Sequence, residues 1–211
     1  MLLHIAAAVM LTNIALLEIY SLHDLSDIPD LPKPMDVRYL PDENPLYRVF
    51  VYGTLKRGEP NHSLISDAAN GYSKFLGLGR TSVPYPLIIA TRYNIPFLLK
   101  KPGVGHHVIG EVYDVDTKML SKLDELEEHP GFYERAMADV ILAPERKLKG
   151  TDKFEEVGTM MKVWIYFLPK FRESLLETPM YSLYSNEGSH GLKYCETYVR
   201  DSMYNHRREV Q

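Results

Sequence analysis

Val49-Phe-Val-Tyr-Gly-Thr-Leu-Lys-Arg-Gly-Glu-Pro-Asn-His62 is the stretch from which the rest of the chain is read. An apolar run of β type, Val49 to Tyr52, stops at Gly53, and a polar, basic loop follows. A strand ending in glycine offers backbone N–H groups at its tip, and such a tip holds a small anion or a carboxylate. The spacing Gly53 to Gly58 matches the start of a nucleotide-phosphate loop. Glu59 then stands where lysine is required, and no Ser or Thr follows to bind magnesium, so that reading is rejected. The plainer alternative is a tight turn from strand to helix with Lys56 and Arg57 exposed.

Working outward, Tyr47 to Tyr52 is the first strand, and Pro60-Asn-His-Ser-Leu-Ile-Ser-Asp67 opens a short helix. Lys74 to Arg80, Leu87 to Ala90 and Phe97 to Leu99 read as short strands, with Pro84-Tyr-Pro86 as a turn between the first two. His107 to Asp116 alternates with period two and reads as a well-buried strand. A helix follows from Asp116 to about Glu128, stopped before His129-Pro-Gly131. Tyr133 to Leu142 and Thr159 to Leu168 are two more strands, Pro144 to Val157 a surface loop, and Phe171 to Leu176 a short helix. Many short strands around few helices, without a βαβα rhythm, predict a compact α+β domain built on a small mixed barrel.

The helix at 117–128 carries the first chemical signal. At about 100° per residue, Met119, Leu120, Leu123 and Leu126 form the core stripe. Glu127 falls inside that stripe, whereas Asp124, Glu125 and Glu128 fall outside it and face solvent. A carboxyl on an apolar helix face loses water, and its pKa rises. A glutamate tuned towards neutrality is a general base. The competing reading is an end-of-helix glutamate that reaches water or pairs with Arg135.

Composition excludes several classes. A net charge of -4 over 211 residues points away from nucleic acid. Cys195 is the only cysteine, so neither an internal disulfide nor a cysteine zinc cluster can form. His106 and His107 point to opposite faces of a strand entry, and no His-x-x-x-His pattern occurs, so no metal is expected. His62 and His190 lie in glycine-containing loops and read as hydrogen-bonding residues there. The fifteen tyrosines fit a polar pocket or tyrosine-rich strands equally well.

Four regions follow. Residues 1–20 are mostly apolar, but interrupted, without a basic leader or a small-residue cleavage site. They admit a signal or anchor, or an extension with no targeting role. Residues 21–45, with five Asp and five Pro, read as a linker. Residues 46–197 form the folded domain and 198–211 a fraying tail. Asn61-His-Ser63 matches the glycosylation pattern. A glycan there would obstruct the loop, which argues for a cytosolic protein over a secreted or anchored form. With no long apolar surface helix outside the N-terminus, a monomer is expected.

Three segments together resemble the gamma-glutamylcyclotransferase family, its amine-specific branch in particular. They are Val49 to His62; Gly110-Glu-Val-Tyr-Asp-Val115 through Leu123-Asp-Glu-Leu-Glu127 to Pro130 and Tyr133; and Tyr184-Ser-Asn-Glu-Gly-Ser-His-Gly-Leu-Lys-Tyr194. Pro84 to Ala90 and Asn94-Ile-Pro96 also agree. The resemblance spans about residues 47–197. It implies a small β-barrel flanked by short helices, with Glu127 as the catalytic acid/base and Tyr52, Gly53, Thr54 and Leu55 as the substrate loop. It implies no cofactor or metal, and a small-molecule γ-glutamyl amine such as ε-(γ-glutamyl)-lysine converted to 5-oxoproline and free amine. Two alternatives share these residues: the same reaction on γ-glutamyl amino acids or glutathione, and a non-catalytic binding protein. Residues 1–45, the 144–158 loop and the tail lie outside the family pattern.

Overall fold

The computed structural model describes residues 45–143 and 158–211 apart from 197, 198 and 202. The expectations for residues 1–44, and for the loop at 144–157, fall outside the described residues. Residues Asp42–Gln211 belong to one compact unit.

Five strands close into a barrel in the order β1, β5, β2, β6, β7. They are β1 (Tyr47–Val51), β2 (Ser73–Thr81), β5 (Ile109–Val115), β6 (Glu134–Leu142) and β7 (Thr159–Phe167). All neighbours are antiparallel except β1 and β7, which run parallel at Val49 and Trp164 and seal the barrel. A second sheet, in the order β4 (Ile95–Leu98), β3 (Leu87–Ala90), β8 (Met180–Tyr181), stands beside it. Among the described residues the α-helices are few and short: α1 (His62–Ser66), α2 (Thr117–Leu126) and α3 (Arg207–Val210), with short 3-10 turns at Ala68–Asn70 and Glu173–Glu177. This is the α+β barrel expected, with strand limits within a residue or two of the sequence reading.

Period-two alternation gives β1 two apolar faces. Val49 and Val51 join Val115, Met119 and Leu123 in one cluster. Phe50 and Tyr52 join Val112, Val140 and Ile165 in another. Burying each such side chain contributes about 1.5–3 kcal/mol, so β1 is anchored on both sides and its end is held in place. Phe50 needs room to sit there. Gly79 and Gly110 face each other across β2 and β5. A Cβ on Gly110 would lie 2.4 Å from the Val51 carbonyl and 2.6 Å from the Phe50 ring.

Helix α2 starts at Asp116, whose side chain accepts the Met119 N–H at 2.7 Å, as an N-cap should. Met119, Leu120 and Leu123 are buried as predicted, but Leu126 is 41% exposed. The buried stripe ends one turn early, at Leu123. Asp124, expected to face solvent, is instead three-quarters covered. It accepts from the Tyr166 hydroxyl at 2.5 Å and from Arg135 Nη2 at 3.2 Å, and these partners offset the cost of burial.

The described C-terminal end, Arg207 to Gln211, packs on the fold in place of the expected fraying. Val210 has no exposure, and its carbonyl accepts the Arg172 N–H at 2.8 Å. The Arg172 guanidinium also donates to the carbonyls of Arg208 and Gln211. These carbonyls end α3 and have no partner within it, so an arginine from elsewhere in the fold caps them. Among the described residues, no helix is long and apolar enough to cross a membrane.

Candidate active site

The loop after β1 is built to stay where it is. Gly53 begins it because Pro96 packs against it: a Cβ at Gly53 would lie 2.9 Å from the Pro96 ring. The Lys56 N–H donates to the Gly53 carbonyl and the Asn61 N–H to the Thr54 carbonyl, which folds 53–61 on itself. Glu111, 5% exposed on β5, accepts the Arg57 backbone N–H at 2.9 Å and Arg57 Nε at 3.0 Å. The Tyr113 hydroxyl donates to the same carboxylate at 2.8 Å. Of the two cations expected to be exposed, Arg57 is half exposed but Lys56 is only 7% exposed. Lys56 donates to the Tyr184 carbonyl and lies 3.8 Å from Glu59. Burial pulls its pKa below the ordinary lysine value, partly offset by Glu59 and Glu111.

Glu127 occupies the C-cap of α2, its N–H still bonded to the Leu123 carbonyl at 3.0 Å. Glu128 then adopts a left-handed φ of 52°, which ends the helix. The chain turns back so that the Tyr133 N–H donates to the Glu127 carbonyl at 3.3 Å. Arg135, the proposed alternative partner of Glu127, is instead committed to Asp124, with Nε at 3.1 Å from its carboxylate. Desolvation by the surrounding protein pushes the Glu127 carboxyl up to about 7. Around it stand phenols held neutral by burial: Tyr52, Tyr133 and Tyr166 are all raised, and the charge on Glu127 adds to the rise in each. The Tyr52 hydroxyl donates to the Tyr166 carbonyl at 2.9 Å.

These parts share one cavity of about 290 Å³, lined by Tyr52, Gly53, Thr54, Leu55 and Glu127 among others. Five residues named from sequence are thus brought together. Its size is near the lower end for ligand pockets and suits a small molecule. The third segment supplies another wall. Asn61 Nδ2 donates to Thr54 Oγ1 at 3.0 Å and to the Tyr194 hydroxyl at 3.1 Å, tying the loop to Tyr194. The two glycine-loop histidines behave as hydrogen-bonding residues: His62 Nδ1 pairs with the Leu55 carbonyl and His190 Nε2 with the Ser185 carbonyl. Neither lines the cavity.

Sequence reasoning missed Asn61, Phe132, Tyr194, Arg200 and His206 as cavity-lining residues. Asn61 read as part of a short helix and of a glycosylation pattern, neither of which points into a cavity. Arg200 and His206 lie in a segment whose polar composition resembles any disordered terminus. Nothing in their local pattern marks them.

The fold and the site define a small-barrel protein with a compact pocket, a desolvated carboxyl able to exchange a proton near neutral pH, and the loop after β1 lining the same cavity. A family model described as "Gamma-glutamyl cyclotransferase, AIG2-like" matches residues 49–186. The human gamma-glutamylaminecyclotransferase is 44% identical over 146 residues, covering 69% of this chain and 94% of that protein. Zebrafish gamma-glutamylaminecyclotransferase B is 43% identical over 146 residues, covering 69% and 72%. The crystal structure of a mouse AIG2-like protein superposes with a TM-score of 0.64 at 37% identity, over 74% of this chain and 99% of the mouse chain. The chain belongs to the gamma-glutamyl cyclotransferase, AIG2-like family of enzymes.

Proposed function

We propose that this enzyme converts γ-glutamyl amines, ε-(γ-glutamyl)-lysine among them, to 5-oxoproline and the free amine, with Glu127 as general acid and base. The observation that carries the reading is the Glu127 carboxyl, raised to about 7 by desolvation, in the cavity that the Tyr52–Leu55 loop also lines. The names of the human and zebrafish relatives support the amine as leaving group.

The substrate's α-ammonium, with a pKa of about 8, is not a nucleophile until it loses a proton. Glu127 as carboxylate accepts that proton. The amine nitrogen then attacks the γ-carbonyl carbon of the same molecule, forming the fifth ring bond and an oxyanion. Backbone N–H groups of Gly53 to Leu55 are the donors for that charge. As the oxyanion collapses, the bond to the leaving amine breaks. Glu127 gives its proton to that departing nitrogen and then takes the second proton from the ring nitrogen, so the lactam keeps one N–H and the second proton ends on the free amine. Attack within one molecule, in a pocket that keeps the chain curled, is worth up to roughly 7–11 kcal/mol. The phenols of Tyr52 and Tyr133 stay neutral beside Glu127.

The reaction belongs to the cytosol on this reading. Both Nδ2 hydrogens of Asn61 are taken up by Thr54 and Tyr194, so a glycan on that nitrogen would open the pocket wall.

The test is mass spectrometry of products from the full chain and Glu127→Gln, each incubated with ε-(γ-glutamyl)-lysine, γ-glutamyl-alanine and glutathione. 5-Oxoproline and lysine from the isopeptide with the wild type alone is the expected result. Release from another donor changes the substrate and keeps the mechanism. No 5-oxoproline from any donor with folded protein favours a binding protein.

A further inference from the structure

Arg200 holds a buried donor with nothing to bind. Its Nε donates to the Cys195 carbonyl at 2.8 Å. Its guanidinium lies 5.0 Å from the centre of the Tyr93 ring and 4.9 Å from that of Tyr194. These contacts fix the side chain, yet Nη2 is buried without a hydrogen-bond partner. Among the described residues no carboxylate lies within salt-bridge distance of Arg200, although the residue lines the same cavity as Glu127. A buried guanidinium N–H left unsatisfied is costly, and a carboxylate is the group that fits a guanidinium best.

We propose that Arg200 binds the α-carboxylate of the substrate's glutamyl moiety and so orients the α-amine towards Glu127. The inference rests on the cyclotransferase reading and adds a binding residue to it. The α-carboxylate and α-ammonium are on one carbon, so the residues that meet them must face one small volume. Glu127, Tyr133 and Arg200 all line the one cavity, and the Glu127 and Arg200 charges act on the Tyr133 hydroxyl in opposite directions. Arg200 also stacks on Tyr194, which Asn61 bonds to Thr54, so it belongs to the same wall as the loop. With the carboxylate on Arg200, the N–H groups of Gly53 to Leu55 are left for the oxyanion.

The experiment compares wild type, Arg200→Gln and Arg200→Lys in the full chain, with circular dichroism and melting to check folding. The main ligands are ε-(γ-glutamyl)-lysine, γ-glutamyl-butylamine, which has no carboxylate on its leaving group, and 5-oxoproline, which keeps only the α-carboxylate. Losing a hydrogen bond to a charged group corresponds to about 10- to 100-fold. Arg200→Gln is expected to raise KM for both donors and Kd for 5-oxoproline by that factor, with kcat changed less and Arg200→Lys intermediate. A donor whose α-carboxyl is an amide guards against a general loss of structure. Wild type should lose the same factor on it, and Arg200→Gln should lose little more.

Unchanged KM and Kd in Arg200→Gln would overturn the proposal. An effect on the isopeptide alone would also overturn it, by assigning Arg200 to the leaving amino acid's carboxylate. A wild type that binds 5-oxoproline through Arg200 but turns over no donor would retain the anchor and remove the activity.

Discussion

Replacing Glu127 with glutamine should make the protein more stable at high pH while abolishing turnover. The carboxyl stands at about 7 in the fold against an ordinary 4.5. A raised carboxyl pKa means that the folded state disfavours the ionised form. The stability it contributes is present below about 4.5 and is lost as pH rises through about 7. That gap, at about 1.4 kcal/mol per pH unit, costs the folded state at most about 3.5 kcal/mol above pH 8. Glutamine is nearly isosteric and never ionises. The difference in unfolding free energy between Glu127→Gln and wild type should therefore grow by about 2–3 kcal/mol between pH 4.5 and pH 8.5. In a domain of this size it corresponds to a Tm difference widening by about 4–12 °C. Urea unfolding at five pH values, with thermal melts alongside, reads it directly. Any fixed effect of the amide appears at every pH and drops out of the comparison. A difference that stays flat across that range would mean that the carboxyl is solvated in the fold, and the argument for a tuned base would fail with it.

Three further outcomes follow from the same geometry. Because the ionised form of Glu127 is the base, kcat/KM should fall about tenfold per pH unit below about 7, and a limb centred near 4.5 would contradict the burial argument. Glu111→Gln removes the charge that holds Arg57 and the Tyr113 hydroxyl. It should cost about 1–3 kcal/mol in urea unfolding and raise KM with little change in kcat, since it loosens the loop and leaves Glu127 in place; an unaltered KM would show that the loop does not need that anchor. Gly110→Ala forces a methyl to within 2.4 Å of the Val51 carbonyl. Overpacking of this kind costs about 1–3 kcal/mol, measured by denaturant titration, and a melting temperature equal to wild type would show that β1 and β5 can part without penalty.

The amino-acid order by itself determined the strands and the main helix. Residues Leu87 to Ala90 or Thr159 to Phe167 carry their own β-type composition and turn boundaries, and Asp116 caps α2 through a bond three residues away. Glu127 was legible for the same reason, since helix periodicity is local. Quoted motifs brought the Tyr52–Leu55 loop into view. Periodicity misplaced Leu126 and Asp124, because whether a stripe position is covered depends on what packs over it. Tyr166 and Arg135, from strands 42 and 11 residues on, cover Asp124.

Only the tertiary structure decided what the carboxyl of Glu127 experiences. Its rise to about 7 comes from desolvation by protein packed round the cavity. Tyr194 and Arg200 reach that cavity from the far end of the chain. The same holds for the last dozen residues, whose polar composition suggested fraying. Val210 is buried because the fold leaves an apolar site for it, and Arg172 is placed to cap the carbonyls beside it. Local sequence encodes backbone propensity and the parity of side chains. Burial, pairing and the electrostatics of a site are sums over distant neighbours, and those neighbours meet only once the barrel has closed.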